Sequence, residues 1–141
     1  MNGLETLPLL LVEDNPRDAE LTLRAFRKNN LANNVLVAHD GVEALEIVFS
    51  RTGADRPRVI LLDLKLPKLD GLEVLRRLKS DERTRAIPVV VVTSSNQDPD
   101  IKTAYDLGAN SYVVKPVDFE AFMKTMSDLG FYWLMVNQVT V

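Results

Sequence analysis

The sequence predicts an α/β fold in which a parallel sheet carries helices on both faces. Two observations carry the prediction. Five short runs are mostly apolar at successive positions, as in strands buried on both faces, rather than alternating apolar with polar. Each is followed, after a short connection, by a segment whose apolar residues recur at helical spacing.

Residues 7–12 form the first run. Asn15-Pro16 then opens a helix, because asparagine is a good N-cap and proline is tolerated at the first helical position. Leu21, Ala25 and Phe26 supply its apolar stripe. Val35–Ala38 is the second strand, and Asp40 caps a helix through Phe49 with Val42, Leu45, Val48 and Phe49 on one side. Val59–Leu62 is the third strand and ends at Asp63. After the loop LKLPKLDG, residues 72–78 return to helical spacing. Residues 89–92 are β-branched throughout and make the fourth strand. Asp98-Pro99 opens the next helix, and Gly108 stands where a helix C-terminal glycine belongs. Ser111–Val114 is the fifth strand, and Asp118 caps a last helix along which Phe119, Phe122, Met123, Met126 and Leu129 step at helical spacing. Right-handed crossovers leave few topologies, and the flavodoxin-like order 2-1-3-4-5, doubly wound by five helices, is the expected one. Residues 1–141 contain no repeat or linker and read as one domain.

Composition narrows the function. Of 141 residues, 46% are hydrophobic and 26% charged, ordinary for a globular domain able to bury a core. With no cysteine, disulfides, thiolate metal sites and cysteine nucleophiles are excluded. A net charge of −3 leaves no surplus for a basic nucleic-acid face; Arg24/Arg27/Lys28 and Arg76/Arg77/Lys79 read as solvated helix faces. The start lacks a secretory signal, and the apolar runs 7–12 and 88–92 are too short to cross a bilayer, so a cytoplasmic location is expected.

In such sheets ligands bind outside the carboxyl ends of the strands. The residues there are Glu13 and Asp14, Asp63, Thr93 and Lys115. Gathered carboxylates repel one another unless a cation is present, and oxygen-only ligands favour a hard ion such as magnesium. Thr93 could donate to a phosphoryl oxygen and Lys115 could neutralise another. A carboxylate in that company is suited to forming an acyl phosphate. Taken singly, each has an ordinary reading: Glu13-Asp14 a solvated turn, Asp63 a loop residue, Thr93-Ser94-Ser95 turn chemistry, Lys115-Pro116 a surface lysine before a turn. Their occurrence at one end of four strands favours a site. His39, the single histidine, reads as a capping or surface residue, which argues against a histidine-based metal or triad enzyme.

The strings LLLVEDNPRDA, VILLDLKLPKLDGLEVL, IPVVVVTSS and GANSYVVKPVD resemble, in order and spacing, the receiver domains of bacterial response regulators. The resemblance spans roughly residues 7–129. It implies Asp63 as phosphoacceptor, with Mg2+ held by Glu13, Asp14, Asp63 and the backbone carbonyl of Lys65. It further implies Thr93 and Lys115 as phosphoryl-stabilising groups, Thr93 and Tyr112 as a switch pair, and a cis Lys115–Pro116 bond. Pro67 and Gly71 would shape the loop after Asp63. Phosphorylation would then bias the fourth-helix, fifth-strand and fifth-helix surface for partner binding or dimerisation. About a dozen residues follow the fifth helix, too few for an output domain, so a stand-alone receiver is expected.

The tail GFYWLMVNQ carries more apolar residues in succession than one helix face can bury. Residues from about 130 to 141 are therefore expected to extend the last helix as a dimerisation arm, with Phe131, Tyr132, Trp133 and Leu134 at the interface; a longer helix covering its own core is the competing expectation. With the long loop SDERTRAIP, the tail resembles the small receivers partnered with bacterial phytochrome histidine kinases, which tend to form homodimers.

Three rivals fit less well. A haloacid-dehalogenase-type phosphohydrolase needs a second aspartate two residues after its nucleophile, where this chain has Lys65. A flavin or nucleotide module would want a glycine- or hydroxyl-rich loop after the first strand, where Glu13-Asp14-Asn15-Pro16 is acidic. A pseudo-receiver would lack site residues that are all present here.

Overall fold

Short apolar strands recur because those at the centre of a doubly wound sheet are buried on both faces, whereas the edge strands are only partly covered. In the computed structural model, which describes residues 8–31 and 34–137, β1 (Leu9–Val12), β2 (Val35–Ala38), β3 (Val59–Leu62), β4 (Val89–Thr93) and β5 (Ser111–Val114) form one parallel sheet in the order β2-β1-β3-β4-β5. The expected start of β1 at Leu7 lies outside the described residues. The helices are α1 (Pro16–Lys28), α2 (Gly41–Phe49), α3 (Gly71–Ser80), α4 (Asp98–Asp106) and α5 (Phe119–Phe131), with a 3-10 turn at Gly53–Asp55 and a π-helical turn at Tyr132–Val136.

Alternation along each strand sorts its side chains into two cores. Leu10, Val12, Ile60, Leu62, Val89 and Val91 face Ala44 and Val48 of α2, Val74, Leu75 and Leu78 of α3 and Ala104 of α4. Leu9, Leu11, Val59, Leu61, Val90 and Val92 face Ala25 and Phe26 of α1 and Phe122, Met123 and Met126 of α5. Each wholly buried Leu or Phe contributes roughly 1.5–3 kcal/mol by leaving water.

Four of the five helices start at a side-chain cap, while α4 starts at Asp98-Pro99 without one. The Asn15 side chain accepts from the amides of Arg17 and Asp18, Asp40 from that of Glu43, and Asp118 from that of Ala121. Asp70 caps α3 in the same way. Gly108 has φ +108°, the left-handed conformation that ends α4. Two stripe assignments differ from expectation. Val42 and Phe119 are 40% and 46% exposed, because α2 packs through Gly41 and Ala44, and the first inward turn of α5 is made by Phe122 and Met123.

The tail divides. Trp133 is only 9% exposed and joins the α1/α5 core, with Leu134 packed against it. The neighbouring Gly130 lies so close to Phe26 that a Cβ there would be 2.7 Å from its ring. The expectation that Trp133 forms an intersubunit surface is therefore corrected: it covers its own core. Phe131, Tyr132, Met135 and Val136 are the exposed members. Residues 138–141 of the expected extension lie outside the described residues. None of the described helices is long and apolar enough to cross a membrane.

Candidate functional site

The strand ends bring the predicted residues together. The Asp63 amide donates to the Val12 carbonyl, the Glu13 amide to that of Ala38 and the Lys115 amide to that of Thr93, so the hydrogen-bond ladder places each one step past its strand. Glycine makes room. A Cβ on Gly71 would lie 2.2 Å from the Asp63 carbonyl oxygen, and one on Gly41 2.1 Å from that of Leu69, so no side chain fits at either place. The loop after Asp63 is drawn in by bonds from the Gly71 amide to the Leu64 carbonyl and from the Leu69 amide to that of Pro67.

Lys115 is the hub. Its Nζ lies 2.5 Å from Glu13 Oε1, 2.9 Å from Asp63 Oδ2 and 2.9 Å from Asp18 Oδ2, and its side chain is 10% exposed. The Lys115–Pro116 bond is trans, not the expected cis; trans is the lower-energy isomer, and the lysine reaches the site from it. Asp63 Oδ1 accepts from the Lys65 amide and Glu13 Oε2 from that of Asn15.

Oxygens of Glu13, Asp14 and Asp63 lie within 4.8 Å of one another, Glu13 and Asp63 buried and Asp14 exposed. Burial pushes the Glu13 carboxyl up to about 7, although the hydrogen bond from Lys115 opposes it. Burial alone would pull the Lys115 ammonium down, but its bonds to Glu13, Asp63 and Asp18 hold it above its ordinary value. One ammonium faces more carboxylate charge than it can neutralise, and an all-oxygen cluster short of positive charge fits a hard divalent cation.

Thr93 is fully buried, and its hydroxyl has no hydrogen-bond partner among the described residues. An unpaired buried hydroxyl is costly, so this donor is available to a ligand oxygen. The Tyr112 hydroxyl donates to the Ser95 carbonyl at 2.9 Å, and Ser95 Oγ lies 2.5 Å from Asp100 Oδ2. Burial raises the Tyr112 phenol above its usual value. His39 is a surface residue, its Nδ1 3.4 Å from Glu43 Oε1.

The response regulator receiver domain family matches this sequence across residues 9–127. The chain belongs to that family. Receivers of this kind serve two-component signalling, and several relatives span nearly the whole chain. FilR2 of Methanothrix harundinacea, a probable methanogenesis regulatory protein, is 45% identical over 92% of this chain and 85% of its own. Response regulator Rcp1 of Synechocystis sp. is 33% identical over 89% of this chain and 88% of its own. Its Mn2+-bound crystal structure superposes with a TM-score of 0.88, covering 96% of this chain and 99% of that one. Phosphorylated RcpA, a cyanobacterial phytochrome response regulator, superposes at 0.89 with 35% identity, again over 96% and 99%.

Two features of this receiver escape the sequence reading. Asp18, bonded to Lys115, lies in the first turn of α1, where a carboxylate is ordinary and gives no sign of its contact with a distant strand end. The Ser95–Asp100 bond joins residues whose separation carries no signal before α4 is placed.

Proposed function

We propose that this receiver accepts a phosphoryl group on Asp63 from a sensor histidine kinase, with magnesium. The observation that carries the reading is the fully buried Thr93 hydroxyl, without a partner among the described residues, at the strand ends that also bring Asp63, Lys115 and the acidic cluster together. An Asp63 carboxylate oxygen attacks phosphorus, the phosphorus–nitrogen bond of the donor phosphohistidine breaks, and the departing imidazole takes up a proton. Glu13, Asp14 and Asp63, with the Lys65 carbonyl, would hold the ion, which supplies positive charge against the phosphoryl oxygens. Lys115 neutralises further charge and Thr93 donates its hydroxyl. Movement of Thr93 toward the phosphoryl group then shifts Tyr112 and the α4-β5-α5 surface. Water slowly removes the phosphate, since Lys65 stands where a turnover enzyme of the dehalogenase type would carry its acid.

The likeness to Rcp1 and RcpA supports a bacteriophytochrome or related kinase as partner. Residues 1–141 act as one receiver domain in the cytoplasm, without contacting nucleic acid. A homodimer would form through α4-β5-α5 and the tail, where Tyr105, Val114, Phe131 and Tyr132 are exposed. Intact-protein mass after exposure to acetyl phosphate, with and without magnesium, tests the acceptor. One magnesium-dependent phosphoryl adduct, absent in Asp63→Asn, supports the reading; no adduct under any condition overturns it.

A further inference from the structure

Lys115 Nζ has three N–H donors and three carboxylate partners: Glu13, Asp63 and Asp18. Glu13 and Asp63 belong to the acidic cluster that fits a cation, and Asp63 is the proposed acceptor. Asp18 belongs to neither. It sits in the first turn of α1, where the Asn15 side chain accepts from its amide and the Thr22 hydroxyl donates to its carbonyl at 2.8 Å, so its backbone is fixed on both sides. Its carboxylate is the one partner of the ammonium that a cation and a phosphoryl group leave unengaged.

Asp18 also lines a solvent-open groove with Arg17, Ser94, Lys115, Val117 and Phe119, between α1 and the segment joining β5 to α5. A carboxylate near a helix N-terminus is favourable on its own account, so its presence there would be unremarkable without the lysine. The 2.9 Å bond to the ammonium of a lysine whose side chain is 10% exposed adds a second role.

We propose, resting on the phospho-acceptor reading above, that Asp18 is a positioning residue for Lys115. It holds the ammonium while Asp63 is unmodified and competes with the phosphoryl oxygens for it afterwards. Asp18 therefore lowers the affinity of the site for a phosphoryl group, and its charge sets how firmly that group is held.

The test uses the full chain and two readouts. In the metal-free protein, NMR of lysine side-chain ammonium protons reports how well each is held. Lys79 is an internal control, because its Nζ also has three acceptors, the carbonyls of Arg85 and Ile87 and Asn110 Oδ1. Asp18→Asn is expected to speed exchange at Lys115 and leave Lys79 unchanged. With magnesium, titration with beryllofluoride, a phosphoryl mimic, is expected to show binding about three- to tenfold tighter in Asp18→Asn than in wild type, and no gain in a Lys115→Met background. Equal exchange at Lys115, equal affinity, or a gain that persists without Lys115 would overturn the proposal. A mere helix-cap role would lower thermal stability and move neither readout. Should wild type bind no beryllofluoride with magnesium, the phospho-acceptor reading itself falls and this proposal with it; binding by wild type with no gain in Asp18→Asn removes the proposal alone.

Discussion

Gly71 packs against the backbone of Asp63 so tightly that a methyl group at Gly71 would lie 2.2 Å from the Asp63 carbonyl oxygen and 2.6 Å from the Leu64 Cα. Both obstacles are backbone, which cannot swing aside as a side chain can. Gly71→Ala is expected to destabilise the fold by about 1–3 kcal/mol or more and to displace Asp63. Urea unfolding with magnesium titration checks it; unchanged stability and affinity would mean the loop moves freely.

Thr84 and Thr93 are both fully buried, but among the described residues only Thr84 has a hydroxyl partner, the Leu78 carbonyl at 2.6 Å. Thr84→Val should cost about 1–2 kcal/mol, whereas Thr93→Val should leave stability unchanged or slightly raised. The same Thr93→Val protein should still be phosphorylated but respond weakly at its partner surface. Equal losses in denaturant titrations would show that Thr93 has a structural bond.

Asp14 is the exposed member of the acidic cluster, so neutralising it should spare the fold. Asp14→Asn is expected to weaken magnesium binding by about tenfold or more at unchanged thermal stability. Calorimetric titration giving wild-type affinity would remove Asp14 from the metal site.

The two halves of the tail should separate by experiment. Trp133→Ala is expected to lower stability by about 3–5 kcal/mol, because it empties part of the α1/α5 core. Phe131→Ser with Met135→Ser changes only exposed positions and should lower self-association measured by light scattering. The reverse pattern would return Trp133 to the interface.

Hydrogen bonds from Arg76 and Arg77 hold the Glu73 carboxyl down to about 2. A depressed carboxyl contributes stability that is present above its unfolded value, near 4.5, and is lost as pH falls toward 2. Stability should therefore fall less steeply across that window in Glu73→Gln than in wild type. Identical profiles would show that the pair contributes nothing, as many exposed ion pairs do.

Much of this was legible in the residues. Strands buried on both faces announce themselves as apolar runs, and Asn15, Asp40 and Asp118 mark helix starts because a short polar side chain there satisfies free amides. What was not legible depends on contacts between distant segments. Val42 looked inward because small residues such as Gly41, which lies against the Leu69 backbone, and Ala44, which is buried in the core, leave no mark on an apolar stripe. Trp133 looked like an interface residue because a run of apolar residues does not reveal which of them turns inward. Asp18 was hidden by its ordinary place in a first helical turn.

The strands pair in register at their carboxyl ends: Val12 opposite Ala38 and Leu62, Leu62 opposite Val91, and Thr93 opposite Val114. The sheet thus works as a ruler graduated in single residues. Because successive side chains alternate between faces, one residue inserted between Ile60 and Leu61 would rotate Asp63 half a turn, away from Lys115 and toward the opposite layer. Such an insertion would keep every residue type at the site, yet abolish the chemistry. Spacing within the strands is as much a part of this site as the identity of its side chains.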